Sequence, residues 1–301
     1  MFLLFPLYGD INPQSILPQD TKPWLFWPVI LFFLCFGIGI VAVLGGVGGG
    51  VLFVPIVGSF FPFHFNFVRG TGLLLALSCA LAAGPGLLRA KMVNLRLAMP
   101  AALIASFFSI IGAVIGLKLP VQILQLILGI VVLGICILMA LAKKTSYPHI
   151  KESDHLSKIL EITGIYYEPS LDKKIGWKIH NTPLGLFLFS IVGFLAGMFG
   201  LGAGWANVPV LNLVMGAPLK ISVATSNFLL SITDSSAAWI YINNGSILPI
   251  FVVPSIVGIM IGSFIGGKIL KKTKPVSIKW IVLILLAVAG IRSILKGLSI
   301  G

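Results

Sequence analysis

Two stretches of the chain decide its fold: GGVGGGVLFVPIV at Gly45–Val57 and FGLGAGWANVPVL at Phe199–Leu211. Each opens with a glycine cluster and continues as a short apolar run that contains a proline. The second copy lies 154 residues after the first, and at that offset one proline and four glycines align. The aligned pairs are Gly39 with Gly193, Gly46 with Gly200, Gly48 with Gly202, Gly50 with Gly204, and Pro55 with Pro209. Apolar halves that glycine interrupts at the same place are typical of duplicated membrane proteins with a site near the bilayer midplane.

The composition places the chain in a membrane. Hydrophobic residues make up 58% and charged residues 10% of the sequence, and the mean hydropathy is +1.09, whereas soluble domains carry about 25% charged residues. The apolar runs are continuous rather than alternating, which favours helices over a β-barrel. We therefore expect an all-α, polytopic integral membrane protein of the cytoplasmic (inner) membrane.

The same helical plan is predicted twice. After an extramembrane or interfacial N-terminal segment, residues 1–23, the first membrane repeat covers residues 24–142. A polar, lysine-rich connector, residues 143–182, leads to the second repeat, residues 183–301. Each repeat is expected to contain a glycine-broken helical hairpin, whose second piece is too short to cross about 30 Å of hydrocarbon, and three transmembrane helices. The expected helices are Trp24–Leu44, Val51–Phe60, Phe67–Leu88, Val93–Leu117, Val121–Ala142, Pro183–Phe199, Trp205–Val214, Ile221–Tyr241, Leu248–Ile269 and Val276–Leu295.

Loop charges predict the topology. Lysines and arginines cluster in the loop after the third helix, in the connector and after the penultimate span, so these segments are expected on the cytoplasmic side. The N-terminus is then outside, and each half crosses the membrane an odd number of times. The two repeats are therefore expected in inverted topology. The net charge of +13 is explained by these loops, so the lipid bilayer rather than nucleic acid is the expected partner.

The two glycine breaks are the candidate binding site. A helix broken inside the bilayer leaves backbone N–H groups that protein, water or a ligand must bond, and a helix N-terminus carries positive partial charge. Two such ends facing each other would bind an anion. The alternative is that the glycines only allow close helix packing, as we expect for Gly258, Gly262 and Gly266. The backbone candidates are Gly48, Gly49, Gly50, Gly202, Ala203 and Gly204.

Uncharged polar side chains follow each break. Asn207 lies just after the second break, and at an offset of 155 residues Gly70-Thr71-Gly72 aligns with Thr225-Ser226-Asn227. Hydroxyl and amide groups donate to oxyanions without placing a charge in the bilayer. Equally, they can bond back to their own helix. The side-chain candidates for substrate binding are Thr71, Asn207, Ser226 and Asn227.

Three further residues could couple transport to an ion or support the site. Asp234 is the only acidic residue within an expected span; it is either a proton-coupling carboxylate, an anchor for the neighbouring Ser and Thr residues, or a neutral hydrogen-bonded acid. Its repeat equivalent is Cys79, so any such role is asymmetric. Arg69 either snorkels to the interface or attracts an incoming anion. Trp205 borders the second break and could form a wall of the site.

Enzymatic chemistry is not indicated. The three cysteines lie singly in apolar segments with no CxxC spacing, and the four histidines lie near span ends or in the connector. A nucleophile with its base, a metal-ligand cluster or a dithiol is thus missing from the sequence pattern. We expect no catalytic residues, no bound metal and no cofactor.

The broken-hairpin motifs resemble the TauE/SafE family of membrane permeases, the sulfite exporter TauE type. The resemblance covers roughly residues 30–295 and implies secondary transport of a sulfur-containing anion, such as sulfite, thiosulfate, sulfoacetate or another organosulfonate, coupled to an ion gradient. The motifs that carry it are GGVGGGVLFVP at Gly45–Pro55, GLGAGWANVP at Gly200–Pro209, ATSNFLLSITD at Ala224–Asp234 and GIMIGSFIGGKI at Gly258–Ile269.

Together, the repeat and the resemblance predict an alternating-access carrier of a small anionic substrate, with H+ as the candidate coupling ion. One alternative is a carrier for a cation or a neutral solute, in which carbonyl groups of the breaks face the ligand. Another is a membrane subunit that does not transport. The sequence is compatible with a homo-oligomer.

Overall fold

The computed structural model describes residues 26–45, 48–89, 93–141, 153–168, 173–270 and 275–298. The N-terminal segment expected at residues 1–23 lies outside these ranges. The first half contains α1 (Phe26–Gly45), α2 (Gly49–Phe60), α3 (Phe65–Arg89), α4 (Leu95–Lys118) and α5 (Val121–Leu141). Between the halves lie α6 (His155–Ile159), β1 (Thr163–Glu168) and β2 (Lys173–Lys178). The second half contains α7 (Thr182–Phe199), α8 (Gly204–Pro209), a π-helical segment (Val210–Val214), α9 (Leu219–Asn243), α10 (Pro249–Leu270) and α11 (Pro275–Gly297).

The expected all-α, polytopic membrane fold is confirmed. Within the described ranges, five helical segments are long and apolar enough to cross a membrane: Phe65–Ala82, Leu95–Lys118, Val121–Leu138, Thr182–Phe199 and Pro249–Gly266. Helix α9 has sufficient length, but its sequence LKISVATSNFLLSITDSSAAWIYIN is less apolar. Its buried polar residues form one face of the helix and include Ser222, Thr225, Ser226, Thr233 and Asp234, whereas Val223, Trp239 and Ile242 are exposed. Helix α9 therefore turns a polar face to the interior and an apolar face outward.

Both helix breaks occur where the glycines predict them. Helix α2 has 12 residues, or about 18 Å at a rise of 1.5 Å per residue, well short of the hydrocarbon thickness of about 30 Å. At the second break Gly200 and Gly202 both have φ of +70°, a left-handed conformation that a β-carbon would strain. The expectation of one regular helix over Trp205–Val214 is wrong in its second part. Pro209 lacks an N–H, and the turn after it widens into a π-helix in which the Met215 N–H donates to the Val210 carbonyl.

Helices of one half pack against helices of the other in a reciprocal pattern. Helix α1 packs on α10, and its repeat equivalent α7 packs on α4, the equivalent of α10. Likewise α3 pairs with its equivalent α9, and α5 pairs with its equivalent α11. The halves therefore share one core instead of forming two domains. The inverted orientation of the repeats stays a prediction.

Glycine allows the α1–α10 and α4–α7 pairs to approach closely. A β-carbon on Gly262 would lie 2.1 Å from the Phe36 carbonyl oxygen, and one on Gly258 would lie 2.3 Å from the Phe32 carbonyl oxygen. The expected packing role of the α10 glycines is therefore confirmed. The other pair repeats the device, since a β-carbon on Gly197 of α7 would lie 2.0 Å from the Ser109 carbonyl oxygen of α4.

The connector contains secondary structure and packs on the membrane helices. Strands β1 and β2 pair antiparallel with Thr163 opposite Lys178, and the buried Trp177 packs with Ile162 and Ile179 against the ends of the membrane helices. Arg96 at the start of α4 forms an ion pair of 2.6 Å with Glu161. Burying these apolar side chains gives the short segment a core, which lysine content alone does not reveal. Its cytoplasmic location stays a prediction.

The α1–α10 contact can be tested with a matched pair of alanines. Gly262→Ala forces a β-carbon against a backbone carbonyl, so we expect a lower apparent melting temperature in detergent, from a loss of about 1–3 kcal/mol for overpacking. Gly37→Ala, in the partner helix, adds a β-carbon with nothing within 4 Å and should leave the melting temperature unchanged or slightly raised. Equal melting temperatures for the two variants would contradict the packing role.

The connector provides a test by pH. Burial raises the pKa of Asp154, but hydrogen bonds from Thr182 and Ser157 outweigh it and hold the pKa below its ordinary value of 3.8. A depressed folded pKa stabilises the fold above the unfolded pKa, and this stability is lost as the pH falls through the folded value. We expect the protection of the Ser157 amide against hydrogen exchange to fall on acidification below pH of about 4. In Asp154→Asn, protection should no longer depend on pH in that range, and a retained dependence would contradict this role.

Candidate functional site

The two helix breaks lie against each other in the interior. A β-carbon on Gly204 would lie 3.7 Å from the Gly48 backbone nitrogen, and one on Gly50 would lie 2.7 Å from the Leu201 carbonyl oxygen. Gly49, which opens α2, is buried as Gly50 and Gly204 are. The start of each half-helix therefore faces the break of the other half.

Helix α3 passes beside both breaks and also approaches them through glycine. A β-carbon on Gly72 would lie 2.5 Å from the Gly200 carbonyl oxygen, and Gly72 in turn places its own carbonyl oxygen 2.7 Å from the β-carbon position of Gly50. Gly202 lies two residues after Gly200, and its β-carbon would lie 2.7 Å from the Ala76 side chain of α3. Backbone thus surrounds the breaks at contact distance, which no larger residue at these positions would allow.

Helix α9 brings a carboxyl group to the second break. Asp234 is fully buried, and its Oδ2 atom lies 3.1 Å from the β-carbon position of Gly202. The backbone N–H of Ala203 faces the carboxyl group, although neither carboxyl oxygen completes a hydrogen bond within the described ranges. A buried acid without a hydrogen-bond partner is costly. The buried Asp234 carboxyl group would therefore be stabilised by a proton or by a ligand that bonds its oxygens.

Cys79 holds the equivalent position at the first break. Its Sγ atom lies 3.4 Å from the β-carbon position of Gly49, the Gly49 N–H faces it, and Ser263 Oγ lies 3.5 Å away. Gly49 and Ala203 are themselves repeat equivalents. The same position of the repeat therefore contacts the same point of the break in each half, once with a thiol and once with a carboxyl group.

Several buried hydroxyl and amide groups of α3, α8 and α9 lack partners among the residues described. Thr71 and Thr225 are fully buried, as is Thr233 beside Asp234, and each Oγ1 atom makes no hydrogen bond there. Asn207, 1% exposed, leaves its Oδ1 atom in the same condition. Buried polar atoms are normally paired, so these groups are available to a ligand or to water. Thr225 and Thr233 were not among the sequence candidates, although the repeat alignment and the neighbouring Asp234 indicate both positions.

The remaining polar candidates of α9 differ from one another. Ser226 is buried, with 3% exposure. Asn227 instead donates its amide to the Val223 carbonyl at 3.0 Å, which is the bonding back to its own helix that the sequence left as an alternative. Ser235 and Ser236 also bond to their own helix, at the Ile232 carbonyl, so Asp234 does not anchor these serines.

Arg69 does not snorkel to an interface, because the end of α7 binds it in the interior. The side chain is fully buried, donates through Nη1 to the Met198 carbonyl at 2.8 Å, and donates through Nη2 to the Asn66 side chain. The Tyr241 hydroxyl donates to the Gly197 carbonyl at 3.0 Å, and its ring lies 5.4 Å from the Arg69 guanidinium carbon. A cation at a helix C-terminus is electrostatically favoured. Arg69 and Tyr241 therefore fix the last turn of α7 immediately before the second break.

Trp205 lies at the start of α8. Its ring is half-buried and packs beside Ala203 and Leu230, while its Nε1 atom has no hydrogen-bond partner among the residues described. The ring is therefore placed as one side of the second break, with a free donor.

Known proteins are similar to this chain over most of its length. Residues 31–293 match the family described as Sulfite exporter TauE/SafE. The chain is similar to the probable membrane transporter protein YunE of Bacillus subtilis, at 24% identity over 277 residues that cover 90% of this chain and 98% of that protein. A probable membrane transporter protein of Methanocaldococcus jannaschii is 25% identical over 283 residues, which cover 88% of this chain and 95% of that protein. No solved structure matches at comparable significance. With most of its length matched, including both helix breaks, this chain belongs to the sulfite exporter TauE/SafE family.

Proposed function

We propose that this protein is a secondary transporter that moves a small sulfur-containing anion across the cytoplasmic membrane by alternating access. The observation that carries the proposal is the contact between the two helix breaks, with Gly204 of one facing the Gly48 nitrogen of the other. Membership of a family described as sulfite exporters and the names of two relatives as probable membrane transporters support the same class of function.

Binding would use neutral donors. Backbone N–H groups at the starts of α2 and α8 can donate to the oxygens of sulfite, thiosulfate or a sulfonate. So can the hydroxyls of Thr71, Thr225 and Thr233, which have no hydrogen-bond partner within the described ranges. An anion gains from the positive ends of helix dipoles, and uncharged donors avoid placing a permanent cation in the bilayer. Arg69, a buried cation of α3, is already engaged with the end of α7. The anion is therefore expected to leave the site without breaking an ion pair.

Asp234 supplies a means of coupling to protons. An ionised carboxyl group facing the Ala203 N–H competes with an anion for the same donors and repels it. Protonation removes both effects, since a neutral carboxyl group can itself donate a hydrogen bond. Proton and anion would then bind in the same state of the protein, as a symporter requires. Cys79, the equivalent residue of the first half, would take no part in this coupling.

Flux into proteoliposomes tests substrate and coupling together. Radiolabelled sulfite, thiosulfate and sulfoacetate are offered with and without an imposed pH gradient, with a divalent cation as a further substrate. We expect one anion to be taken up and accelerated by the gradient. In Asp234→Asn the acceleration by the pH gradient should vanish. The control is Asp154→Asn in the connector, in which the acceleration should remain. Cation uptake without uptake of any anion would contradict the proposal and assign the site to the carbonyl groups of the breaks.

A substitution at Gly48 tests substrate binding without disturbing helix packing. It has an ordinary φ of −63° and nothing within 4 Å of its β-carbon position, so Gly48→Val should fold normally. A side chain there would occupy the space beside the break, and we expect the apparent affinity for the anion to fall at least about tenfold, or 1.4 kcal/mol. Transport is measured against concentration, and the melting temperature checks the fold. Gly37→Val, which also adds a side chain in open space, is the control, and unchanged affinity in Gly48→Val would count against a site at the breaks.

A further inference from the structure

A cavity of about 770 Å³ lies at the C-terminal ends of α2 and α11, apart from the two breaks. One part of its lining is apolar and the other is cationic. The residues that matter for the argument are Phe60, Val288, Ile291, Arg292, Leu295 and Lys296.

Two cations face this cavity with donors to spare. Arg292 donates through Nε to the Ser59 carbonyl at 3.1 Å, and its guanidinium carbon lies 4.3 Å from the centre of the Phe60 ring. Lys296 donates to the Gly58 carbonyl at 3.2 Å. Among the described residues, Arg292 thus uses one of its five donors and Lys296 one of its three. Among the described residues that line the cavity none is acidic, so the remaining donors meet no internal counter-charge.

The apolar part of the lining faces outward. Val288 and Ile291 are each 52% exposed, Leu295 is 42% exposed and Phe60 is 45% exposed. Positions 288, 291 and 295 follow the spacing of one helical face, and Arg292 and Lys296 adjoin that face toward the end of α11. A continuous apolar stripe that ends in two cations has the polarity profile of a membrane helix from the hydrocarbon to the headgroup region.

We propose that this cavity binds one anionic phospholipid. The headgroup phosphate lies between Arg292 and Lys296, and an acyl chain follows Val288, Ile291 and Leu295. A lipid satisfies both parts of the lining at once, whereas a free anion leaves the apolar part exposed. Paired cations at the interface attract anionic headgroups by electrostatics.

This lipid site is joined to the first broken hairpin. The same two side chains bond the carbonyls of Gly58 and Ser59, the last turn of the half-helix that opens at Gly49. At the repeat offset of 154, Arg292 corresponds to Leu138, so the second hairpin has no equivalent arginine. The lipid therefore contacts one of the two hairpins and not the other.

The direct test is the binding of short-chain lipids to the purified full-length protein in a zwitterionic detergent. Dioctanoyl phosphatidylglycerol and dioctanoyl phosphatidylcholine are titrated separately, and inorganic phosphate is a third ligand. We expect the anionic phosphatidylglycerol to bind at least tenfold more tightly than the zwitterionic phosphatidylcholine. Inorganic phosphate should show no binding in the same concentration range. Equal affinity for the two lipids would overturn the proposal, as would binding of inorganic phosphate as tight as that of the anionic lipid.

Variants locate the site. The double variant Arg292→Gln, Lys296→Gln should weaken binding of the anionic lipid by about 25-fold, from about fivefold for each cation. Lys118→Gln, which removes a cation at the end of α4, should leave lipid affinity unchanged. Because the two cations also hold α2, the double variant could unfold. Val288→Trp keeps both cations and fills the apolar part of the cavity. This variant should bind the anionic lipid more weakly, while its melting temperature without lipid stays near that of the wild type. Unchanged lipid affinity in Val288→Trp would overturn the proposed position of the acyl chain.

Discussion

The structure depends on backbone meeting backbone at the centre of the bundle. Gly50, Gly72, Gly200 and Gly204 bring the two breaks and helix α3 so close that a single β-carbon at Gly50 would lie 2.7 Å from two carbonyl oxygens. Interrupted helices in a bilayer survive only where protein or a ligand bonds their free groups, and here each break supplies part of the surroundings of the other. Arg69 and Tyr241 complete this arrangement by bonding the final carbonyls of α7, so that the second break begins from a fixed turn.

Within this symmetric frame the chemistry is asymmetric. Cys79 and Asp234 occupy the same position of the repeat and face the equivalent backbone N–H groups of Gly49 and Ala203. The Cys79 thiol has the Ser263 hydroxyl beside it, whereas Asp234 brings a carboxyl group, whose protonated and ionised forms differ in charge. A duplicated fold can therefore bind a substrate with both halves while only one half responds to protons. Arg292 and Lys296 add a second asymmetry, because they bond the Ser59 and Gly58 carbonyls of the hairpin that lacks the acid.

The sequence predicted the parts of the fold that depend on local signals. Glycine clusters mark both breaks, and long apolar runs mark the spans, because each reflects a requirement of the residues themselves. Other features depend on partners distant in the chain. Arg69 is buried because Met198 and Asn66 bond its guanidinium group, and the connector folds because Trp177 finds an apolar surface on the membrane helices. Asn227 shows the converse limit, since a polar residue in a motif can bond its own helix. Only the fold distinguishes it from Thr225, whose hydroxyl has no partner in the part of the chain that the structure describes.

The reciprocal packing of α1 on α10 and of α7 on α4 bears on how such a chain could arise and fold. Each half lacks the surface on which its own first helix rests, so the α1–α10 and α4–α7 helix pairs join residues far apart in sequence. Loop closure must precede these contacts. The first half leaves the ribosome without its partner helices and must wait in the bilayer for the second. By the same logic, a single-repeat ancestor with these contacts would have had to assemble with another copy of itself, and the connector is what made that partner permanent.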